Sequence, residues 1–167
     1  LLADHIAATT GLAFADYLAE AVLAPLGMVR SDLRGSAAKD LHSNVDDLIV
    51  FTDEMVHPKL LHRDTVADAL TPQFPLLDGV LPGWGPQRPC PWGLGPELRG
   101  TKSPHWTGAT ASAGTYGHFG GSGTLLWIDP VAGVRCIALT DREFGDWAVQ
   151  AWPPFSDAVR AAYAGSP

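Results

Sequence analysis

The sequence predicts an α+β fold, in which an antiparallel sheet is flanked by helices. Helical patterns fill most of residues 1–70, three apolar strand patterns joined by glycine turns follow between residues 114 and 140, and one more helical pattern comes last. Consecutive strands joined by short turns form an antiparallel meander, and an amphipathic helix after them covers one face. With 167 residues, no internal repeat and no linker, we expect one domain over 1–167.

Two helices are predicted at the beginning of the chain. The first covers residues 1–9 and ends at Gly11, and the second covers about 13–24 and ends at Pro25. Apolar residues of the second helix recur at three- and four-residue spacing: Phe14, Tyr17, Leu18, Val22 and Leu23. Residues 30–41 show no period, so we expect a loop there.

A third helix is predicted to begin at Ser43. Ser43 can accept a hydrogen bond from the Asp46 N–H while the Asp46 side chain reaches back, which is the arrangement of a capping box. Its apolar positions are Leu48, Phe51 and Met55. Pro58 ends this helix, and a short fourth helix is expected from residue 64 to residue 70.

Residues 72–113 are rich in proline, glycine and tryptophan, and one strand is predicted within them at 92–98. A loop of this length inside a domain is uncommon and is usually functional. Two interpretations remain open: a surface loop anchored by Trp84, Trp92 and Trp106, or a wall of a substrate site.

The sheet and the last helix follow this segment. Strands are predicted at about 114–119, 123–129 and 134–140, with Gly133 in the second turn. The last helix is expected from residue 146 to residue 164.

Charge and hydropathy exclude some classes of partner. The net charge is −7 and no run of Lys or Arg occurs, so we expect no nucleic-acid partner. No apolar run approaches ~18 residues and no basic n-region precedes an apolar h-region, so we expect neither a transmembrane segment nor a signal peptide. The chain opens inside a helical pattern without a Met, which suggests a fragment and leaves its localisation open.

The glycines and histidines do not indicate a phosphate or metal site. Gly117, Gly120, Gly121 and Gly123 lead into a strand, whereas a phosphate loop leads into a helix. The six histidines lack zinc-ligand spacing, so we expect no metal and no cofactor. Cys90 and Cys136 are either two buried thiols, which we favour, or one disulfide.

One serine–lysine pair has the spacing of a nucleophile and its base. Ser36 and Lys39 form a Ser-x-x-Lys sequence, and on a helix a desolvated Lys one turn beyond the Ser could take the hydroxyl proton. No helical pattern surrounds them, so we interpret Ser36 as a loop residue and keep the pair only as a secondary candidate. A Gly-x-Ser-x-Gly elbow is absent from the sequence.

The triplet His118-Phe119-Gly120, with other segments in order, carries a family resemblance. The other segments are residues 15–17 (Ala-Asp-Tyr), 24–28 (Ala-Pro-Leu-Gly-Met), 43–48 (Ser-Asn-Val-Asp-Asp-Leu), 92–95 (Trp-Gly-Leu-Gly) and 140–142 (Thr-Asp-Arg). Together they resemble the C-terminal portion of the serine β-lactamase, penicillin-binding protein and carboxylesterase superfamily, especially its class C-like branch, where His-x-Gly replaces Lys-Thr-Gly.

The resemblance implies a mechanism and site residues. In the family a Ser of Ser-x-x-Lys is acylated, the Lys and a Tyr of Tyr-x-Asn shuttle protons, and water deacylates the enzyme. His118 would face the substrate carboxylate or the tetrahedral centre, Gly120 would allow close backbone approach, and the Gly121 N–H would be an oxyanion-hole donor.

The chain also departs from the family pattern. Family members carry Ser-x-x-Lys and Tyr-x-Asn before the Pro-Leu-Gly-Met segment, but here Ser36 lies after it and no Tyr-x-Asn occurs. The resemblance therefore implies an incomplete fold, which lacks the N-terminal strands and the nucleophile region. We expect the chain alone to be inactive.

Two function classes follow. The first is the C-terminal part of a serine hydrolase acting on an ester, peptide-like or β-lactam substrate; an ester or peptide-like amide fits better than a penicillin, because His-x-Gly lacks the fixed cation of Lys-Thr-Gly. The second is a non-catalytic binding module with the same fold. An unpaired sheet edge would favour self-association in either class.

Overall fold

The structure, a computed structural model, describes residues 1–165 and forms two compact units. The first is Leu1–His62, and the second begins at Arg63. Helices and small antiparallel sheets make up both units. The predicted α+β class with an antiparallel sheet is therefore confirmed.

Two helices open the first unit. Helix α1 is Leu2–Thr10 and ends at Gly11, whose φ of 75° is left-handed. Helix α2 is Phe14–Leu26, and its middle, Ala19–Leu23, is a π-helix. No single helix within residues 1–165 is long and apolar enough to cross a membrane; α1 and α2 together meet the length and composition criteria but are bent by 83°.

The expectation that Pro25 ends α2 is wrong. The helix continues through Pro25 to Leu26 and ends at Gly27, which has a φ of 74°. Pro25 falls in the first turn of the α-helical segment that resumes after the π-helix, where a missing N–H is tolerated.

Residues 30–41, expected to be a loop, contain most of a small hairpin. Strands β1, Asp32–Leu33, and β2, Leu41–His42, pair antiparallel. Strands of two residues are too short to show an alternating pattern, which is why the sequence does not reveal them.

Helix α3 is Val45–Val56, and its N-cap is Asn44, not Ser43 as predicted. The Asn44 side chain accepts a hydrogen bond of 2.8 Å from the Asp47 N–H. The Ser43 hydroxyl lies 2.7 Å from that of Ser31, which donates to the buried Asp47 carboxylate. Ser43 is therefore used in a tertiary contact, and the adjacent asparagine caps the helix.

Near the end of α3, the buried Glu54 carboxylate holds the chain that follows. It accepts hydrogen bonds from the backbone N–H groups of Lys59, Leu60 and Leu61. Burial raises the pKa of Glu54, but these donors outweigh burial and leave the pKa below its ordinary value.

The second unit contains most of the strands. Its elements are helix α4 (Arg63–Ala69), strands β3 (Gly79–Leu81), β4 (Gly85–Gln87), β5 (Glu97–Leu98), β6 (Tyr116–Phe119), β7 (Leu125–Asp129) and β8 (Val134–Ala138), and helix α5 (Asp146–Tyr163). Strands β3 and β4 form a hairpin, and the others form one antiparallel sheet in the order β5-β6-β7-β8. Within residues 1–165, β8 has a strand partner on one side only.

The strand predicted at 92–98 is much shorter in the structure. Only Glu97 and Leu98 belong to it, and Trp92 makes a single bridge to Glu97 across a tight turn. At Gly93 a β-carbon would overlap the Ala69 carbonyl oxygen. The glycine therefore allows this turn to pack against the end of α4.

Helix α5 covers one face of the sheet. Its buried residues repeat every four positions: Ala148, Trp152, Ser156 and Arg160. This spacing places them in one stripe on the helix. The stripe packs with Trp127 of β7, whose indole N–H donates to the Ser156 hydroxyl at 3.1 Å.

A buried ion pair joins α5 to β7. Arg160 Nε donates to the Asp129 carboxylate at 3.1 Å, and the guanidinium lies 4.4 Å from the centre of the Trp127 ring. The N–H and hydroxyl of Ser112 also donate to Asp129, at 3.0 and 2.6 Å. Burial raises the pKa of Asp129, but these hydrogen bonds outweigh it and lower the pKa to about 2.

Ser112→Ala is expected to destabilise the chain by roughly 1.5–3 kcal/mol at neutral pH, because Asp129 loses a charge-assisted hydrogen bond. Because the pKa of Asp129 is depressed, its stabilisation exists above the unfolded pKa near ~4 and is lost as the pH falls toward about 2. Ser112→Ala should flatten this acid dependence. Urea unfolding between pH 2 and pH 7 measures both effects.

Ser122→Ala is the matched control, because Ser122 is exposed and does not contact Asp129. Equal loss of stability in both variants, or an unchanged acid dependence in Ser112→Ala, would contradict the role of this hydrogen bond.

Candidate functional site

Strand β6 presents His118 to solvent and turns the next residue inward. Successive side chains of a strand point to opposite faces, and here His118 is exposed whereas Phe119 is half-buried against the core. The His118 ring packs edge-on against Trp92, with ring centres 5.4 Å apart. The histidine is therefore accessible and held on one side by an aromatic wall.

Phe119 anchors the His-x-Gly triplet. Its ring contacts four aromatic rings at centre distances of 5.1 to 5.7 Å: Trp84, Trp106, Phe144 and Trp152. Sequence reasoning assigned no role to this middle position, although the alternation of β6 already indicated that it faces the core.

The turn after β6 leaves more than one backbone donor free, because neither Gly121 nor Ser122 donates its N–H to an acceptor within residues 1–165. The Gly120 N–H donates to the Thr124 carbonyl at 2.9 Å, and the Gly123 N–H donates to the Gly120 carbonyl at 3.0 Å. The Gly121 carbonyl accepts from the Phe144 N–H at 2.9 Å. The Gly121 N–H itself has no acceptor among residues 1–165.

His118 and Gly121 lie on the same cavity. Its volume is about 440 Å³, and it is built entirely from residues of the second unit. An exposed imidazole and an unused backbone N–H thus share one recess. This geometry can serve proton transfer and can stabilise negative charge on a ligand.

Glycine is sterically required at Gly117 and Gly123, which lie on either side of the predicted site residues Gly120 and Gly121. A β-carbon at Gly117 would overlap the Leu126 carbonyl oxygen, and one at Gly123, where φ is 79°, would overlap the Arg142 carbonyl oxygen. At Gly120 the closest atom would be the Thr124 hydroxyl at 3.3 Å, and at Gly121 nothing lies within 4 Å. Within the chain, therefore, Gly117 and Gly123 shape the turn while Gly121 stays open.

Glu97, which lines the cavity, is the centre of a buried ionic cluster. Glu97 Oε1 accepts from Lys102 Nζ at 2.5 Å and from His105 Nε2 at 3.0 Å, and Oε2 accepts from the Trp106 indole at 2.7 Å. All four residues are buried. Burial raises the pKa of Glu97, but the hydrogen bond from His105 and the charge and hydrogen bond of Lys102 hold it below its ordinary value.

The cluster also determines the protonation state of His105. Burial lowers its pKa, and its Nδ1 accepts from the Thr107 N–H at 3.2 Å, so we assign the neutral ring with the proton on Nε2. Sequence reasoning missed this cluster, because its members carry no common motif and meet only in the folded chain.

Ser36 and Lys39 lie in an exposed turn of the first unit, not on a helix. The Ser36 hydroxyl accepts from the Ala38 N–H at 3.3 Å, and the Ser36 carbonyl accepts from the Lys39 N–H at 3.1 Å. These are the hydrogen bonds of a local turn. The pair lacks the helical geometry that a Ser-x-x-Lys nucleophile and base require.

Both cysteines are free and buried, which agrees with the favoured of the two alternatives. Burial raises the pKa of the Cys136 thiol to about 11. Cys136 is therefore a core residue, without the thiolate character of a reactive cysteine.

The helices and the antiparallel sheet together define a β-lactamase-like fold. The family model described as Beta-lactamase matches residues 1–159, and the chain belongs to this family. A search of curated proteins found no match.

Solved structures agree with the family. A β-lactamase from Mycobacterium bovis is 50% identical with a TM-score of 0.93, and the match covers 98% of this chain and 61% of that protein. Unliganded simvastatin synthase from Aspergillus terreus is 19% identical with a TM-score of 0.73, covering 98% of this chain and 53% of that protein. The second likeness shows the fold alone. The chain thus spans a little over half the length of these proteins.

Gly123→Ala is expected to destabilise the chain by at least about 2 kcal/mol, because a β-carbon there adds left-handed strain and overlaps the Arg142 carbonyl. Gly121→Ala should change stability by less than about 0.5 kcal/mol, because its β-carbon meets open space. Urea unfolding of the two variants compares them directly. Similar losses in both would show that the turn does not have this geometry.

Proposed function

We propose that this chain forms the C-terminal part of a serine hydrolase that acts through an acyl-enzyme. The observation that carries the proposal is the free Gly121 N–H beside the exposed His118 on one cavity. A backbone N–H held by a rigid turn can stabilise the oxyanion of a tetrahedral intermediate at no reorganisation cost. In this proposal Gly121 supplies one of two such donors.

His118 contributes a titratable side chain next to that donor. An imidazole can donate a proton to a leaving group or, when charged, bind an anionic part of the substrate. Its edge contact with Trp92 limits the orientations of the ring. In this proposal Gly120 provides the close backbone approach and His118 faces the reacting group.

The nucleophile is proposed to come from the part of the family fold that this chain does not span. The Mycobacterium bovis protein extends well beyond the matched region, because the match covers only 61% of its length. Ser36 and Lys39 form an exposed turn instead of a nucleophile helix. The chain alone is therefore proposed to lack turnover.

The proposed substrate class is an ester or a peptide-like amide, with β-lactams disfavoured. The family's Lys-Thr-Gly version supplies a fixed cation for the β-lactam carboxylate, whereas this chain has His118. A histidine is only partly charged near neutral pH. An uncharged acyl donor needs no such cation.

Intact-mass analysis of the chain after incubation with a fluorophosphonate and, separately, with a penicillin is expected to show no adduct. The reason is that the described residues hold no activated serine in the turn around Ser36. A covalent adduct that maps to Ser36 would overturn this assignment and make Ser36 and Lys39 a nucleophile–base pair.

Gly121→Pro tests the oxyanion donor in a form of the protein extended to include Ser-x-x-Lys and Tyr-x-Asn. Proline has no N–H, so the acylation rate by an ester substrate should fall by roughly 10²–10³. Gly121→Ala keeps the donor and has open space for its methyl group, so its rate should be unchanged. Thermal unfolding checks that both variants fold.

Two outcomes would count against the proposal. Equal rates in Gly121→Pro and Gly121→Ala would show that this N–H does not bind the oxyanion. No acylation of the extended protein by any ester or β-lactam probe would favour the non-catalytic binding module.

A further inference from the structure

The walls of the cavity beside His118 and Gly121 are mainly apolar. Their apolar members are Val80, Leu81, Pro82, Trp92, Phe119 and Phe144. The volume of about 440 Å³ lies within the range of small-molecule sites, and a cavity of about 150 Å³ already holds benzene in another protein. The recess can therefore hold an apolar group larger than one aromatic ring.

The acidic group in the wall is not available to a ligand. Both oxygens of Glu97 are occupied by Lys102, His105 and Trp106, and the Lys102 ammonium neutralises its charge. The lining contains no Lys or Arg. The His118 imidazole is the basic side chain of the lining and carries no fixed charge, so a carboxylate placed here would lose water without gaining a fixed ionic partner.

The apolar wall is connected rigidly to the turn that carries the free donor. Phe144 stacks on Phe119 with ring centres 5.1 Å apart, and the Phe144 N–H donates to the Gly121 carbonyl at 2.9 Å. Phe144 also packs against Trp152 at 5.4 Å. The cavity and the Gly121 N–H therefore keep a defined separation before any ligand binds.

We infer that this cavity is a subsite for the acyl group of an uncharged ester, either an aliphatic chain of about six carbons or an aromatic ring. The chemical class rests on the proposed function, because the ester carbonyl must reach the Gly121 N–H. With the carbonyl oxygen on that N–H, the adjoining acyl group enters the recess between Val80 and Phe144.

Methyl hexanoate tests the subsite by binding to the chain itself, without turnover. A titration followed by ¹H–¹⁵N spectra should shift the Gly121 amide and the Trp92 indole signals, and both should saturate together. Hexanoate, which carries a carboxylate in place of the ester, should bind at least about tenfold more weakly. Equal binding of ester and carboxylate, or shifts that map elsewhere, would overturn the inference.

Val80→Asp places a charge on the cavity wall and should weaken methyl hexanoate binding at least about tenfold. Leu76→Asp makes the same change outside the cavity lining and should alter binding less than about twofold. Val80 and Leu76 are 72% and 91% exposed, so both variants should fold. Val80→Thr, which keeps the shape but loses one methyl group, should weaken binding roughly threefold.

The result separates this inference from the proposed function. Equal weakening by Val80→Asp and Leu76→Asp would remove the subsite, whatever the acylation experiment shows. Binding that depends on Val80, together with equal acylation in Gly121→Pro and Gly121→Ala, would retain the subsite and reject the oxyanion role.

Discussion

The position of the candidate site depends on the packing of Phe119. Its ring is surrounded by Trp84, Trp106, Phe144 and Trp152, and in a strand this inward side chain requires that His118 faces outward. The geometry of the exposed histidine is thus determined by the aromatic core beneath its neighbour. A change at Trp84, Trp106 or Trp152 would move the site, although none of these three residues lines the cavity.

Two buried carboxylates hold the long connection between β5 and β6 in place. Glu97 binds Lys102, His105 and Trp106 near its beginning. Asp129 binds Ser112 near its end and is itself paired with Arg160 of α5. Each carboxylate is stabilised by several donors, which offsets the free-energy cost of burying its charge. These contacts explain how a connection without helix or strand is held in place.

The glycines of the His-x-Gly region serve two purposes that spacing alone does not separate. Gly117 and Gly123 are required because carbonyl oxygens occupy the space of their β-carbons. Gly121 has free space and a free N–H. The first kind of glycine builds the turn, and the second leaves a donor exposed to the cavity.

The sequence by itself determined the α+β class, the order of the helices and strands, and the strand–turn–strand unit around His118. These features depend on local periodicity and on turn residues, which are visible over short stretches. The sequence did not predict short strands such as β1, the Asn44 cap or the continuation of α2 through Pro25. At each of these places the local pattern is equally compatible with another structure. The tertiary structure alone decided the Glu97 cluster, the free Gly121 N–H and the apolar cavity, since each arises from contacts between residues distant along the chain.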